Sequence, residues 1–426
     1  MKHKLVFLAL LVSVLLVPVT ALFAGGAQEA DARITLTYYE HADRFNIAPT
    51  INQMYMEANP NVSLEFIQNP EGGADRVHDR LVTMLAARDS SVDIMLLDVI
   101  WPPEFIAAGW LEPLTDSFTP QMQAEYVPAM IDALSHEGDI YGIPTLNDVG
   151  HLYYRTDLLE EAGKEAPLYW PDLVDTSLGI MEENPGMIGF VNTYFPDQQL
   201  MCNYLEYLWG KGGQFLDETG TEVRFESQES IDAIQFMKDM KDEWQILQPG
   251  VMTMGLDDGR QIFTQGQAVF HRNWNYVWAM SEMHEESQIR GRVGVTKLPT
   301  FEGEDHYTTL GGWSYTVNPF SRNVEAAVDL AMWMGSPEIQ KFRAIESDRT
   351  PTHLPTLRDA EVQEVHPVYA EWQAYADTAR SRPKNPFYTQ LSDIFQRDLQ
   401  RALGGDVSIE AAMAAAASEI RPIIQR

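Results

Sequence analysis

Cysteine is almost missing. Cys202 stands alone in 426 residues, so no internal disulfide can form and nothing in the fold depends on oxidative cross-links. Basic side chains are also scarce: 30 Lys and Arg face 62 Asp and Glu, for a formal net charge of −32. A chain this acidic repels a phosphate backbone, which argues against a nucleic-acid partner. There is no glycine-rich phosphate loop followed by Lys and Ser/Thr, so any ATP hydrolysis tied to its function belongs to another subunit. Histidines are scattered, and His284-Glu285-Glu286 lacks the second histidine of a zinc-binding helix. We therefore expect neither a metal nor a cofactor. Beyond residue 17 no apolar run is long enough to cross a bilayer. Internal repeats and low-complexity segments are absent as well.

What is present is ample core material, 45% apolar and 11% aromatic residues including ten tryptophans. A single core stops growing at about 250–300 residues, so this length predicts two domains. The start of the chain reads as an address. Lys2 and Lys4 precede an apolar run from Leu5 to Val17, and Ala21-Leu22-Phe23-Ala24-Gly25-Gly26 offers small residues for cleavage. That is the layout of a secretory signal peptide over residues 1–24, with an uncleaved anchor as the competing reading. No cysteine near the cut supports lipid attachment there. The expectation is a soluble, exported, periplasmic protein.

Strands and helices then alternate. Ile34 to Tyr39 is β-rich and ends at Glu40-His41; Val62, Leu64 and Phe66 alternate with polar residues; Ile94-Met95-Leu96-Leu97 is a run typical of a strand buried on both faces. Between them, Ile51, Met54 and Tyr55, then Val77, Leu81 and Leu85, recur at helical spacing. This order predicts an α/β protein with mainly parallel sheets flanked by helices. Glu40 and Asp98 each follow a strand, where ligands of open α/β sheets gather. Either could instead cap the next helix.

Further segments carry a resemblance. Asp98-Val99-Ile100-Trp101-Pro102 with Ala107-Ala108-Gly109-Trp110-Leu111-Glu112-Pro113-Leu114, Ile143-Pro144 before Asp148, and Leu152-Tyr153-Tyr154-Arg155-Thr156-Asp157-Leu158-Leu159 occur in order. So do Gly266-Gln267-Ala268-Val269-Phe270, Arg272-Asn273-Trp274, Gly311-Gly312-Trp313-Ser314, Asn318 with Ser321 and Asn323, and Arg382-Pro383 with Pro386 and Tyr388. The chain resembles the bacterial extracellular solute-binding proteins of sugar ABC importers, in the trehalose/maltose-binding branch. The resemblance implies a two-lobed periplasmic-binding-protein fold with a hinge: an N-terminal lobe of residues 33–142 plus 299–348, and a C-terminal lobe of 145–297 plus 350–426. The crossovers would fall near Gly142-Ile143-Pro144, Leu298-Pro299 and Thr350-Pro351, where proline fixes one φ angle.

The same resemblance implies a ligand-binding set. Glu40, Asp98 and Asp148 would accept hydroxyls, Trp274 and Trp313 would stack on sugar faces, and Gly312 would let the backbone approach the ligand. Arg382 would donate or hold a carboxylate, with Tyr276, Trp101 and Arg349 as weaker members. A core role is the competing reading for the two tryptophans, though the site role is favoured, and a structural ion pair is the competing reading for Arg382; for Trp101 packing is favoured over contact. Thr145-Leu146-Asn147 and Asn275 depart from the pattern of relatives, which often carry a bulky group and a proline there. The expected function is sugar capture for an ABC permease with a separate ATPase, by a monomer that is not an enzyme. An exported glycoside hydrolase, and a receptor for a polyamine or other non-sugar solute, remain as alternatives.

Overall fold

The computed structural model describes residues 33–69 and 73–425, so the signal peptide expected over 1–24 lies outside the described residues. β1 (Ile34–Glu40) runs between β2 (Val62–Gln68) and β3 (Ile94–Asp98), parallel to both. Helices Ala48–Ala58 and Ala74–Ala86 make the crossovers, and the second buries Val77, Leu81 and Leu85 on one face. Ile94 to Leu97 are at most 1% exposed, as a strand covered on both sides requires. A short helix, Pro102–Ala107, opens on its prolines, and Gly109 follows it with φ +70°. A small hairpin of β4 (Ser135–His136) and β5 (Asp139–Ile140) leads into β6 (Ile143–Val149).

The second sheet is built around β7 (His151–Arg155). β9 (Ala268–Asn273) and β10 (Val293–Thr296) flank it antiparallel, and β8 (Ile188–Val191) lies parallel to β9. Helices Trp170–Glu183, Gln198–Trp209, Gln228–Asp242, Tyr388–Gly404 and Ile409–Ile424 pack into one large apolar core with this sheet. Cys202 sits inside the second of these helices, 1% exposed. β11 (Thr308–Val317) returns to the first sheet antiparallel to both β3 and β6, and its first two residues pair in parallel with β12 (Ala379–Arg380). The βα segments thus pair in parallel, while strands arriving from the other lobe enter antiparallel. Among the described residues no helix is long and apolar enough to cross a membrane.

Two of the three crossings differ in place from those the prolines suggested. Pro144 lies within β6, opposite Ser314, where the register shifts between Trp313 and Ser314; a bulge accommodates a residue with no N–H to share. The chain changes sheets at Gly150, between β6 and β7. The second passage falls between Thr296 and Thr308, around Pro299. The third comes after Arg380 rather than at Pro351. Leu357, Val362, Tyr369 and Tyr375 share a core with Val149, Leu310 and Ala344, so residues 354–376 stay beside helix Pro337–Glu346 of the first lobe. Only from Tyr388 does the chain enter the second core.

A buried ion pair clamps these passages. Arg272 at the end of β9 and Glu206 of helix Gln198–Trp209 are 1% and 3% exposed. Arg272 Nε donates to Glu206 Oε2 at 2.9 Å, and Nη2 reaches both Glu206 Oε1 and the Thr309 hydroxyl. Glu206 Oε1 also accepts from the Thr309 backbone N–H at 3.0 Å and from the Thr308 hydroxyl at 3.2 Å. A Cβ at Gly150 would strike the Arg272 guanidinium and the Thr308 hydroxyl, so glycine is required where the chain passes over the pair. Glu206→Gln leaves a buried cation without its counter-charge, and urea unfolding should show a loss of about 3–5 kcal/mol. A loss below about 1 kcal/mol, the size of an ordinary substitution, would show that the pair does not clamp the hinge.

Candidate functional site

The strand ends bring the expected acids together. Glu40 closes β1, Asp98 closes β3 and Asp148 is the penultimate residue of β6; all three are buried. β11 runs past two of them, with Trp313 opposite Asp98 and Gly311 opposite Asp148. From the second lobe, Trp274 follows directly on β9. A Cβ on Gly311 would stand 3.1 Å from the Trp274 ring and 3.2 Å from Asp148 Cβ, so the two lobes meet at this glycine. Trp274 is half-buried, with the Arg272 guanidinium 4.3 Å from its ring centroid.

Charge is matched at two acids and unmatched at the third. Glu40 Oε2 accepts from Arg343 at 2.9 Å and from the Tyr315 hydroxyl, and Arg349 lies 3.7 Å from Oε1. Burial opposes ionisation of Glu40, yet Arg343 and Arg349 hold its carboxyl down to about 2. Asp98 Oδ1 accepts from Arg382 at 2.7 Å and from the Ile100 backbone at 3.2 Å, so it both pairs with a cation and caps the following turn. Burial nevertheless leaves its pKa raised. Arg382 also reaches Gln198 in the second lobe at 3.4 Å, so it holds the Asp98 carboxylate from between the lobes. Asp148 has no hydrogen-bond donor among the described residues, and burial pushes its carboxyl up to about 7 while Arg349 pulls the other way.

The remaining expected residues separate by what touches them. Trp313 is half-buried, with His41 edge-on at 4.2 Å and Trp101 at 5.4 Å between ring centroids. Trp101 is 0% exposed and packs behind Trp313, the reading favoured for it from sequence. Gly312 has φ +139°, and a Cβ there would come within 2.7 Å of the Leu146 carbonyl and of Met130. Gly312 thus packs closely against β6, and Gly311 is the glycine beside Trp274 and Asp148. Tyr276 lies with the Arg44 guanidinium 5.0 Å from its ring centroid, and Arg349 donates to the Ala42 carbonyl at 3.4 Å.

Sequence reasoning passed over several residues that shape the site. His41, next to Glu40, is driven neutral by burial and by Arg349, its pKa falling to about 3, so its ring can both donate and accept. Arg272 stood in a quoted segment but its partner Glu206 carried no local signal. Asn275, noted only as replacing a proline, accepts from the Val149 N–H at 3.0 Å and donates to the Asn147 carbonyl and the Thr350 hydroxyl, each at 3.1 Å. It stitches the second lobe to β6, which proline could not do. Among the described residues no group of three or more metal-ligating side chains gathers.

A family model described as bacterial extracellular solute-binding protein matches residues 34–341. The chain is a bacterial extracellular solute-binding protein. The solute-binding protein is 34% identical to the maltose-bound MalE3 of T. maritima, with a TM-score of 0.87 over 91% of this chain and 99% of that one. A Thermotoga lettingae ABC-transporter solute-binding protein with bound α-D-tagatose is 25% identical, with a TM-score of 0.82 over 92% and 99% of the two chains. A probable ABC transporter-binding protein of Deinococcus radiodurans is 29% identical over 319 residues, 73% of this chain and 75% of its own. The two-lobed fold expected from sequence is the fold of these structures.

The unmatched acid has a thermodynamic signature. A carboxyl whose pKa rises on folding resists ionisation in the folded protein; the resulting cost is absent below about pH 4, grows toward pH 7 and is complete above it. Asp148→Asn should raise the ligand-free Tm at pH 8 by about 2 °C or more, with the gain fading by pH 4. An equal Tm at both pH values would show that Asp148 ionises without strain.

Proposed function

We propose that this solute-binding protein captures a neutral sugar, a di- or oligosaccharide of the maltose or trehalose type, and presents it intact to an ABC permease driven by a separate ATPase. The observation that carries the reading is the balance of charge around the cleft. Glu40 is matched by Arg343 and Arg349, and Asp98 by Arg382, so the acids do not sum to an anionic pocket suited to a polyamine. What is left over is chemistry for hydroxyls and C–H faces: the Asp148 carboxyl, without a donor among the described residues, the second oxygen of Asp98, neutral His41, and the half-buried indoles of Trp274 and Trp313. Hydrogen bonds from sugar hydroxyls to a charged acceptor contribute about 1.5–3 kcal/mol each, and rigid aromatic rings bury apolar area with little entropy lost. The maltose bound to the T. maritima relative supports the same ligand class.

Groups from both lobes touch the same region, so ligand favours the closed arrangement only by the contacts it gains there. We assign the protein to the space outside the cytoplasmic membrane, with residues 1–24 as its cleaved leader, and expect it to work as a monomer. Isothermal titration against maltose, trehalose, sucrose and related sugars tests the reading, and sugar recovered unchanged separates a receptor from a hydrolase. Trp274→Ala and Asp148→Ala should each weaken the bound sugar at least tenfold, or about 1.4 kcal/mol. Saturable binding of a polyamine instead, or released monosaccharide, would overturn the proposal.

A further inference from the structure

The loop that follows β1 reaches across to the other lobe. Asp43 fixes it from within, accepting from the backbone N–H groups of Ile47 at 2.9 Å and Ala48 at 2.8 Å, and Asn46 turns the chain with φ +55°. The two side chains this loop presents, Arg44 and Phe45, both meet the second lobe. Arg44 is anchored on its own side by the buried Asp348 at 3.4 Å. Across the gap its Nη2 lies 3.2 and 3.4 Å from the two oxygens of Asp257, at the start of helix Leu256–Thr264. The same guanidinium covers the Tyr276 ring, and Phe45 meets His284 edge-on at 5.7 Å.

These contacts bear on ligand length. Trp274 and Trp313 are half-buried indoles, each broad enough to cover one pyranose face. Tyr276 stands two residues beyond Trp274 in the chain, and the opposite lobe's Arg44 guanidinium covers its ring. We propose that Arg44 and Phe45 form a clasp that shuts the cleft at its Tyr276 end and limits the ligand to about two sugar rings, one for each indole. The inference rests on the sugar reading above and adds to it a size limit and the residues that set it. Because Asp257 is 59% exposed, the Arg44–Asp257 contact is open to screening, and the size limit should relax as salt is raised.

The test compares maltose and trehalose with maltotriose and maltotetraose by isothermal titration in wild type, Arg44→Ala, Arg44→Lys, Asp257→Asn and the Arg44→Ala/Asp257→Asn pair. Circular dichroism melts confirm that each variant is folded. Wild type should bind a two-ring sugar at least tenfold more tightly than maltotetraose. Arg44→Ala should shift that ratio toward the longer sugar by at least fivefold, Asp257→Asn by a smaller factor, and the pair by no more than Arg44→Ala alone. Arg44→Lys keeps the charge but loses the flat guanidinium that lies over Tyr276, and should fall between. A ratio unchanged in Arg44→Ala, or a wild type indifferent to length, overturns the clasp while leaving the sugar reading intact. Absence of any sugar binding in wild type overturns both.

Discussion

Two oppositely charged side chains, Arg272 and Glu206, are sealed in the body of the protein where the chain passes between lobes. Removing both from water is costly, and the cost is offset only when nearly every donor and acceptor finds a partner. Here that partnership is supplied by the passage itself: Thr308 and Thr309 at the head of β11 bond to Glu206, and Gly150 leaves room for the guanidinium. Arg272 also lies against Trp274, so the residue that clamps the hinge also positions the indole of the cleft. Loss of this pair would therefore be felt in both fold and site.

Around the cleft the same economy of charge is repeated with a different outcome. Arg343 and Arg349 hold Glu40 ionised, and Arg382 holds Asp98 while reaching Gln198 of the other lobe. These pairs fix the acids in place and cancel their charge. Of these three acids, Asp148 is the one buried with no donor among the described residues, against Gly311 and Trp274. A buried acceptor left open costs stability in the absence of ligand and rewards a partner that brings hydroxyls, which is how a binding protein trades rigidity for affinity.

The two lobes are joined by polar contacts at two further places. Asn275 sews the second lobe to β6 near the passage at Gly150, and Arg44 joins the lobes through Asp257. The first is buried and fully bonded, as a pivot needs to be. The second is partly exposed and adjustable, as befits a gate.

Much of the architecture was legible in the residues themselves. Ile94-Met95-Leu96-Leu97 read as a strand covered on both faces, Val77, Leu81 and Leu85 as one face of a helix, and the acids after two strands already pointed to a crevice. The quoted segments carried the family and the two-lobed plan. Less visible was anything set by residues far apart in the chain. Glu206 and Arg272 are 66 positions apart, and Glu40 and Arg343 are 303 apart; no local pattern marks such partners. Prolines suggested the crossings, but strand pairing moved one to Gly150 and another beyond Arg380, because a bulge let Pro144 stay within β6 and apolar packing kept residues 354–376 with the first lobe. The neighbours of Gly312 and Tyr276, the Leu146 carbonyl and Met130 for one and Arg44 for the other, come from distant elements and had no local mark. Periodicity and strand-end chemistry are local and can be read along the chain, whereas which carboxylate is neutralised, which ring is covered and where the chain turns between lobes are decided only when distant segments come together in space.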